Sequence, residues 1–167
     1  VPVRIARRAT KHPGAGPGDS AAEFTSGLAR QALGTTAGEC KVTRQIVFTT
    51  KAAKPPPTYS QAVKAAGLVF VSGTSPTDPA TGTINGATIQ EQTRQCLTNI
   101  RAILEEAGSS LDKLVSVTVV LADEDDFAGM NEEWLAWFPS HPPARQGAKL
   151  PARIPGLKIS IAAIAEA

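Results

Sequence analysis

The stretch TIQEQTRQCLTNIRAILEEAG, residues 88–108, is the clearest helix in the sequence and the starting point for its fold. Thr88, followed three positions later by Glu91, forms a capping box, in which each side chain accepts a hydrogen bond from the other residue's backbone. One helical face carries Ile89, Thr93, Cys96, Leu97, Ile100, Ile103, Leu104 and Ala107. Gly108 then supplies the left-handed residue with which such helices commonly end.

Short apolar runs on both sides of this helix predict strands. In chain order they cover residues 46–48, 59–64, 68–72, 114–121, 146–150 and 157–164. Their Val, Ile and Thr content is typical of β-structure, and Ala66-Gly67 predicts the turn between the second and third strands. The alternation predicts one common face for Val115, Val117, Val119 and Leu121, and another for Leu157, Ile159, Ile161 and Ala163.

The acidic run Asp123-Glu124-Asp125-Asp126 opens a second predicted helix. Acidic residues in a first turn are favoured by the positive end of the helix dipole. No other carboxylates or histidines are placed to complete a metal site. We therefore interpret the acidic run as residues that stabilise the start of the helix, and we predict no metal. The predicted buried stripe of this helix consists of Phe127, Met130, Trp134 and Phe138, and Pro139 helps to end it.

The order of these elements predicts an α+β fold in which two helices lie on one face of a mixed sheet. The other sheet face also carries many aliphatic positions. Such a face has to be removed from water, and the pattern therefore favours oligomerisation.

The composition is that of an ordinary globular protein, with 42% hydrophobic and 19% charged residues among 167. No apolar run approaches the roughly 20 residues that span a bilayer, so no membrane partner is predicted.

Residues 1–45 carry seven basic and three acidic residues, a net charge of +4. Since the whole chain carries +2, residues 46–167 carry −2. A slightly acidic body argues against a nucleic-acid partner.

Residues 1–45 lack a sustained apolar period, and we predict an N-terminal extension there, followed by one domain over residues 46–167. The extension is either disordered, or added for expression, or an Arg-rich mitochondrial transit peptide.

The two cysteines, Cys40 and Cys96, have no metal-ligand spacing, and Cys96 is predicted to be a buried thiol. This usage suits a reducing compartment, which predicts a cytoplasmic protein, with a mitochondrial one as the alternative.

The stretch His141-Pro142-Pro143-Ala144-Arg145 contains the leading candidate for a functional residue. The two prolines fix φ near about −65°, so part of the ordering of Arg145 is built into the chain. The guanidinium is permanently charged, and its planar fork matches a carboxylate. The residues alone leave three alternatives open: Arg145 binds a small anionic substrate, it pairs with a structural carboxylate, or the prolines only separate a helix from a strand.

Six short motifs follow one another along the chain. They are Tyr59-Ser60-Gln61-Ala62, Leu68-Val69-Phe70-Val71-Ser72-Gly73, Glu91-Gln92-Thr93-Arg94-Gln95, Asp125-Asp126-Phe127-Ala128, Asn131-Glu132 and Pro142-Pro143-Ala144-Arg145. Together they resemble the reactive intermediate deaminase family, also called the RidA, YjgF or endoribonuclease L-PSP family. The resemblance covers about residues 44–165.

This resemblance implies a chorismate-mutase-like fold and a homotrimer with a barrel-like core and sites in the clefts between subunits. It implies hydrolysis of reactive 2-imino acids, such as 2-iminobutanoate and 2-iminopropanoate, to 2-oxo acids and ammonia. The protonated imine is already electrophilic, so positioning one water contributes much of the rate, and no cofactor is implied. The expected partners are a small carboxylate substrate and two further copies of the chain.

The site residues implied by the resemblance are Arg145, Tyr59, Ser72, Gly73 and Asn131. Arg145 would be the catalytic residue and bind the carboxylate, while the others, with the main chain of Thr74, would line the pocket. The residues alone also allow a core Tyr59 with a satisfied hydroxyl and a Ser72 that only ends a strand. His141 either relays protons or sits at a helix C-terminus.

The chain departs from the family pattern at several positions. The family's water-activating Glu is Ala162 here, its usual Ser-Cys after the arginine is Gln146-Gly147, and its Gly-Pro before the tyrosine is Pro57-Thr58. Loss of a general base commonly costs about 10²- to 10⁴-fold in rate. The expected function is therefore a deaminase-like hydrolase, with a non-catalytic protein that binds or senses 2-oxo acids as the alternative and a ribonuclease as a weaker one.

Overall fold

The computed structural model describes residues 43–151 and 154–167. In chain order it contains strands β1 (Gln45–Val47), β2 (Ala62–Ala65) and β3 (Leu68–Thr74), helix α1 (Ile89–Glu106), strand β4 (Leu114–Leu121), helix α2 (Phe127–Trp137), and strands β5 (Ala144–Lys149) and β6 (Ile159–Glu166). The predicted N-terminal extension, including Cys40, lies outside the described residues except for residues 43–45.

The six strands form one sheet in the order β1-β2-β3-β6-β4-β5. Neighbouring strands are antiparallel except for β4 and β5, which run parallel. Helix α1 packs on β3 and β6, and α2 packs beside α1. The predicted α+β fold, a mixed sheet with two helices, is therefore confirmed. No helix in the described part of the chain is long and apolar enough to cross a membrane.

Helix α1 begins with the predicted capping box. Glu91 N donates to Thr88 Oγ1 at 3.2 Å, and Thr88 N donates to Glu91 Oε2 at 3.0 Å. These backbone hydrogen bonds, with a further one from Ala87, hold the pKa of the Glu91 carboxyl below its ordinary value. Gly108 follows the helix with φ +77°, and all eight residues of the predicted apolar face are buried. The buried Cys96 thiol is among them, as predicted.

Two buried polar residues of α1 were not predicted. Gln92 Nε2 donates to the carbonyls of Gly86 at 3.0 Å and Gly156 at 2.7 Å. Asn99 Nδ2 donates to the carbonyls of Ser75 at 3.1 Å and Thr77 at 2.9 Å. Since an unpaired buried amide is costly, these side chains fix the loops that flank the sheet onto the helix.

Four predictions about local structure were wrong. Val115 is 48% exposed, because an irregularity between Leu114 and Ser116 takes it out of the alternation. Phe127 is 51% exposed, because it is the first residue of α2 and the buried side of this helix begins only at Met130. The acidic run forms a 3-10 turn, Glu124–Asp126, before α2 rather than its first turn. Strand β2 begins only at Ala62, so that the predicted strand start at residue 59 lies in the preceding turn.

The two faces of the sheet differ in what covers them. Alternate residues of β3, β4 and β6 that face the helices are buried, among them Val69, Val71, Val117, Val119, Ile159 and Ile161. On the opposite face, Ile46, Val63, Phe70 and Ile164 lie in register across β1, β2, β3 and β6. Ile46 is 62% and Phe70 41% exposed. This apolar row matches the sheet face that the sequence predicts to favour oligomerisation.

Candidate functional site

Arg145 is the second residue of the edge strand β5, whose first residue, Ala144, follows the Pro142-Pro143 step. It is in register with Val117 of the parallel strand β4, and it shares the sheet face on which the helices pack. Its Nη2 donates to Asn131 Oδ1 at 2.6 Å, and its Nη1 donates to Met130 Sδ at 3.5 Å. The structure therefore brings together two of the predicted site residues, Arg145 and Asn131.

Aromatic rings of α2 flank the same guanidinium. Its Cζ lies 4.9 Å from the ring centroid of Trp134 and 5.9 Å from that of Phe127, distances typical of cation–π contacts. We call Phe127, Met130, Asn131 and Trp134 the Arg145 cage. The sequence assigned three of these residues to the helix core and did not predict their role. Their spacing along one side of α2, around Asn131, was the available signal.

Every member of the Arg145 cage is neutral. Within residues 43–151 and 154–167, no carboxylate oxygen lies within 4 Å of the Arg145 guanidinium. The structural carboxylate that the sequence allowed for is therefore not found in the described part of the chain. Burial lowers the pKa of Arg145, but a guanidinium stays charged in proteins. The result is an uncompensated positive charge held in place on a rigid strand.

Two clefts border Arg145. The larger, about 510 Å³, lies between β5 and the start of α2 and is lined by Val119, Leu121, Glu124, Phe127, Met130, Arg145, Gln146, Gly147, Ala148 and Lys149. We call it the Arg145 cleft. The other, about 430 Å³, is lined by Asn131, Trp134, Leu135, Phe138, Pro142, Pro143 and Arg145. The guanidinium is thus reachable by a ligand.

The other predicted site residues form a separate group, which we call the Tyr59 cluster: Tyr59, Ser72 and Gly73. They line a cavity of only about 30 Å³, room for about one water molecule. Ser72 Oγ donates to the Ser60 carbonyl at 2.8 Å. Tyr59 is 49% exposed, and its hydroxyl has no hydrogen-bond partner in the described part of the chain. The alternative of a core tyrosine with a satisfied hydroxyl is therefore wrong.

The Tyr59 cluster and Arg145 do not meet within one chain. Strands β6 and β4 lie between β3, which carries Ser72 and Gly73, and β5, which carries Arg145. Three strand spacings correspond to about 14 Å. A single chain therefore presents two separate groups of predicted site residues at different positions along the sheet.

Ala162 projects from the sheet face opposite to that of Arg145. It is in register with Thr118, whose hydroxyl accepts a 2.9 Å hydrogen bond from Gln146 Nε2. Its neighbour in the chain, Ala163, belongs to the core, and alternation places Ala162 on the far side. A side chain at position 162 therefore cannot face a ligand held by Arg145 of the same chain.

His141 is exposed and has φ +51°, a left-handed conformation that is uncommon for residues other than glycine. It follows the last residue of α2, Trp137, by four positions and so does not lie at the helix C-terminus.

No group of three or more potential metal ligands occurs within residues 43–151 and 154–167.

A model of the endoribonuclease L-PSP family matches residues 49–167, which is well over half of the sequence. The chain belongs to this family. The resemblance inferred from six short motifs is thereby confirmed, and so is the fold class that it implied, since solved structures of the family share this sheet and its helices.

Among the relatives, the mitochondrial protein Mmf1 of Schizosaccharomyces pombe is 44% identical over 110 residues, which is 64% of this chain and 67% of that protein. The chloroplastic Reactive Intermediate Deaminase A of Arabidopsis thaliana is 38% identical over 124 residues, 74% of this chain and 66% of that protein. The solved structure of TdcF from E. coli with bound serine is 33% identical, with a TM-score of 0.68. The match covers 74% of this chain and 98% of that chain.

Proposed function

We propose that this protein is a deaminase-like hydrolase that converts reactive 2-imino acids to 2-oxo acids and ammonia. Membership of the endoribonuclease L-PSP family and the similarity to a Reactive Intermediate Deaminase A support an enzyme of this type. The observation that carries the proposal is the uncompensated guanidinium of Arg145 inside a neutral cage. A charge held without a carboxylate partner is suited to bind the carboxylate of a substrate.

The reaction needs few groups from the protein. The guanidinium of Arg145 offers five N–H donors, and within the described residues only two of these are used, toward Asn131 and Met130. The remaining donors would hold the substrate carboxylate. Water then adds its oxygen to the imine carbon, both of its protons pass to the nitrogen, the C–N bond breaks as the C=O bond forms, and the nitrogen leaves as ammonia. Holding the imine and the water in line supplies much of the rate.

We propose that a homotrimer completes the site. The Tyr59 cluster lies about 14 Å from Arg145 along the sheet, so that the two groups would act together only across a subunit boundary. The apolar row formed by Ile46, Val63, Phe70 and Ile164 provides a surface that association would remove from water. The orientation of Ala162, away from its own Arg145, supports the same arrangement.

A second candidate is a protein that binds or senses small carboxylates without turnover. It is supported by Ala162, which offers no carboxylate at the position of the family's water-activating residue. The TdcF structure, whose ligand is serine, supports a small amino-acid-like ligand for either candidate. Ribonuclease activity has weaker support, because residues 46–167 carry a net charge of −2.

The decisive experiment generates 2-iminobutanoate enzymatically in the presence of semicarbazide and records the semicarbazone, whose formation falls when an active hydrolase is added. We expect the wild-type protein to lower the signal and Arg145→Ala to lose the effect. Arg44→Ala is the matched control, since it removes an exposed guanidinium beside β1, at the other edge of the sheet. Equal curves for the wild type and Arg145→Ala would refute the hydrolase.

Calorimetry with 2-oxobutanoate separates the two candidates. Binding that depends on Arg145, together with turnover at background, favours the non-catalytic protein.

The compartment is a further proposal: the similarity to the mitochondrial Mmf1 supports the mitochondrial alternative over the cytoplasmic one.

A further inference from the structure

We propose that Gly147 determines the specificity of this site by opening the Arg145 cleft to 2-imino acids with long apolar side chains. The inference rests on the proposed function and deepens it, because it names the class of substrate. It concerns the space beside the guanidinium rather than the guanidinium itself.

Arg145, Gly147 and Lys149 occupy alternate positions of β5 and therefore share one face of the strand. Gly147 is in register with Val119. A Cβ atom built at position 147 would have a single neighbour within 4 Å, the Val119 carbonyl oxygen at 3.9 Å, which is an ordinary contact. The missing side chain thus leaves open space between the two charged residues.

The backbone does not require glycine at this position. Five described glycines have positive φ, and Gly147 is not one of them. The residue is in a regular strand, where glycine has lower propensity than β-branched residues and leaves nothing to pack. What glycine provides here is therefore the space itself.

The walls of this space are apolar. Val119 and Leu121 of β4 form the floor, and Phe127 and Met130 of α2 form the side. Phe127 is half-exposed, so that a ligand side chain would cover an aromatic ring that otherwise faces water. A carboxylate on Arg145 would direct the rest of the ligand over Gly147 and between these walls.

An exposed pair of opposite charges lies at the far end of the cleft. Lys149 Nζ lies 3.4 Å from Glu124 Oε2. From Arg145 to Lys149 the strand extends about 13 Å. The cleft volume, about 510 Å³, falls among those of pockets for much larger molecules than a four-carbon acid. Because Lys149 already has a carboxylate partner, the cleft fits an apolar side chain better than a second carboxylate.

The test compares the affinities of 2-oxobutanoate, 2-oxooctanoate and 2-oxoglutarate, the stable products that hydrolysis of the corresponding 2-imino acids would give, by calorimetry on the whole protein. Burial of one methylene strengthens binding by about fourfold, so we expect 2-oxooctanoate to bind at least about tenfold more tightly than 2-oxobutanoate. Gly147→Val should abolish this preference and change the 2-oxobutanoate affinity by less than about twofold. Gly147→Ala should give an intermediate preference.

Ala144→Val is the matched control, since it adds a similar bulk to the other face of the same strand and lines neither cleft, and it should keep the preference. Equal wild-type affinities for the short and long acids, or tighter binding of 2-oxoglutarate, would overturn this inference and leave the proposed function standing. If neither 2-oxobutanoate nor 2-oxooctanoate binds, or if binding persists in Arg145→Ala, the proposed function fails, and this inference fails with it.

Discussion

Asn131 Oδ1 accepts a 2.6 Å hydrogen bond from Arg145 Nη2, so that a neutral side chain orients the guanidinium of the candidate site. An aspartate there would make the same hydrogen bond but would also neutralise the charge. The Asn131 amide therefore orients the guanidinium without neutralising it, and the positive charge stays available to an anionic ligand.

The first prediction follows from this pair. We expect Asn131→Asp to weaken the binding of 2-oxobutanoate by at least about tenfold, because the new carboxylate competes with that of the ligand. Asn131→Ala, which loses orientation but adds no charge, should weaken binding by only a few-fold. Calorimetry at constant ionic strength measures both, and an Asn131→Asp protein that binds as tightly as the wild type would contradict the idea.

A second prediction concerns the attachment of α2, which carries the Arg145 cage, to α1. Arg94 of α1 donates to both carboxylate oxygens of Glu133 on α2, at 2.9 and 2.6 Å, and Glu133 is 7% exposed. Arg94→Ala leaves this carboxylate buried without its charged partner. We expect the melting temperature to fall by on the order of 5 °C.

Arg101→Ala provides the comparison for that experiment, because Arg101 lies on the same helix, with its guanidinium 5.5 Å from the Trp137 ring centroid, and makes no ion pair within the described residues. It should lower the melting temperature by a small fraction of the Arg94→Ala effect. A similar fall in the melting temperature of the two variants would show that the Arg94–Glu133 ion pair does not stabilise the protein.

The third prediction is a pH dependence of stability. Burial alone would raise the pKa of Glu133, but the hydrogen bonds from Arg94 and Trp137 and the charge of Arg94 outweigh it, and the pKa lies below its ordinary value of 4.5. The unfolded chain therefore takes up a proton first as the pH falls. The stabilisation of the folded protein by the ionised Glu133 carboxylate is fully present above about pH 4.5. It is lost as the pH falls through the pKa that Glu133 has in the folded protein.

Glu133→Gln tests this dependence, since glutamine resembles the protonated acid. The variant should melt below the wild type at pH 6, and the difference should shrink between about pH 4.5 and pH 3. Melting curves at fixed protein concentration measure it. A difference that stays constant across this range would exclude a role for Glu133 ionisation in stability.

A fourth prediction concerns the start of α1. Thr88→Ala removes the side chain that accepts from Glu91 N, and we expect a loss of about 1 kcal/mol in the free energy of unfolding. Thr98→Ala, at a partly buried position in the middle of the same helix, should be neutral or stabilising, because alanine is the better helix former there. Denaturant titration compares the two, and equal losses would count against the capping box.

Local features of the structure were predictable because their causes lie within a few residues of one another. The capping box at Thr88, the buried face of α1 and the turn at Ala66-Gly67, where both residues have positive φ, depend on sequence neighbours. The same reasoning was wrong for Phe127. Helical periodicity defines a face, but only the packing of a second layer decides whether that face is buried.

The amino-acid sequence by itself determined the helices and strands, the family through its six motifs, and the choice of Arg145 as the leading site residue. Only the tertiary structure decided what surrounds that arginine. Its environment comes from the parallel pairing of β5 with β4, which aligns Arg145 with Val117, 28 positions earlier in the chain, and from the side of α2 that faces this pair. Contacts between residues so distant in sequence depend on how the elements pack, and no local pattern encodes them.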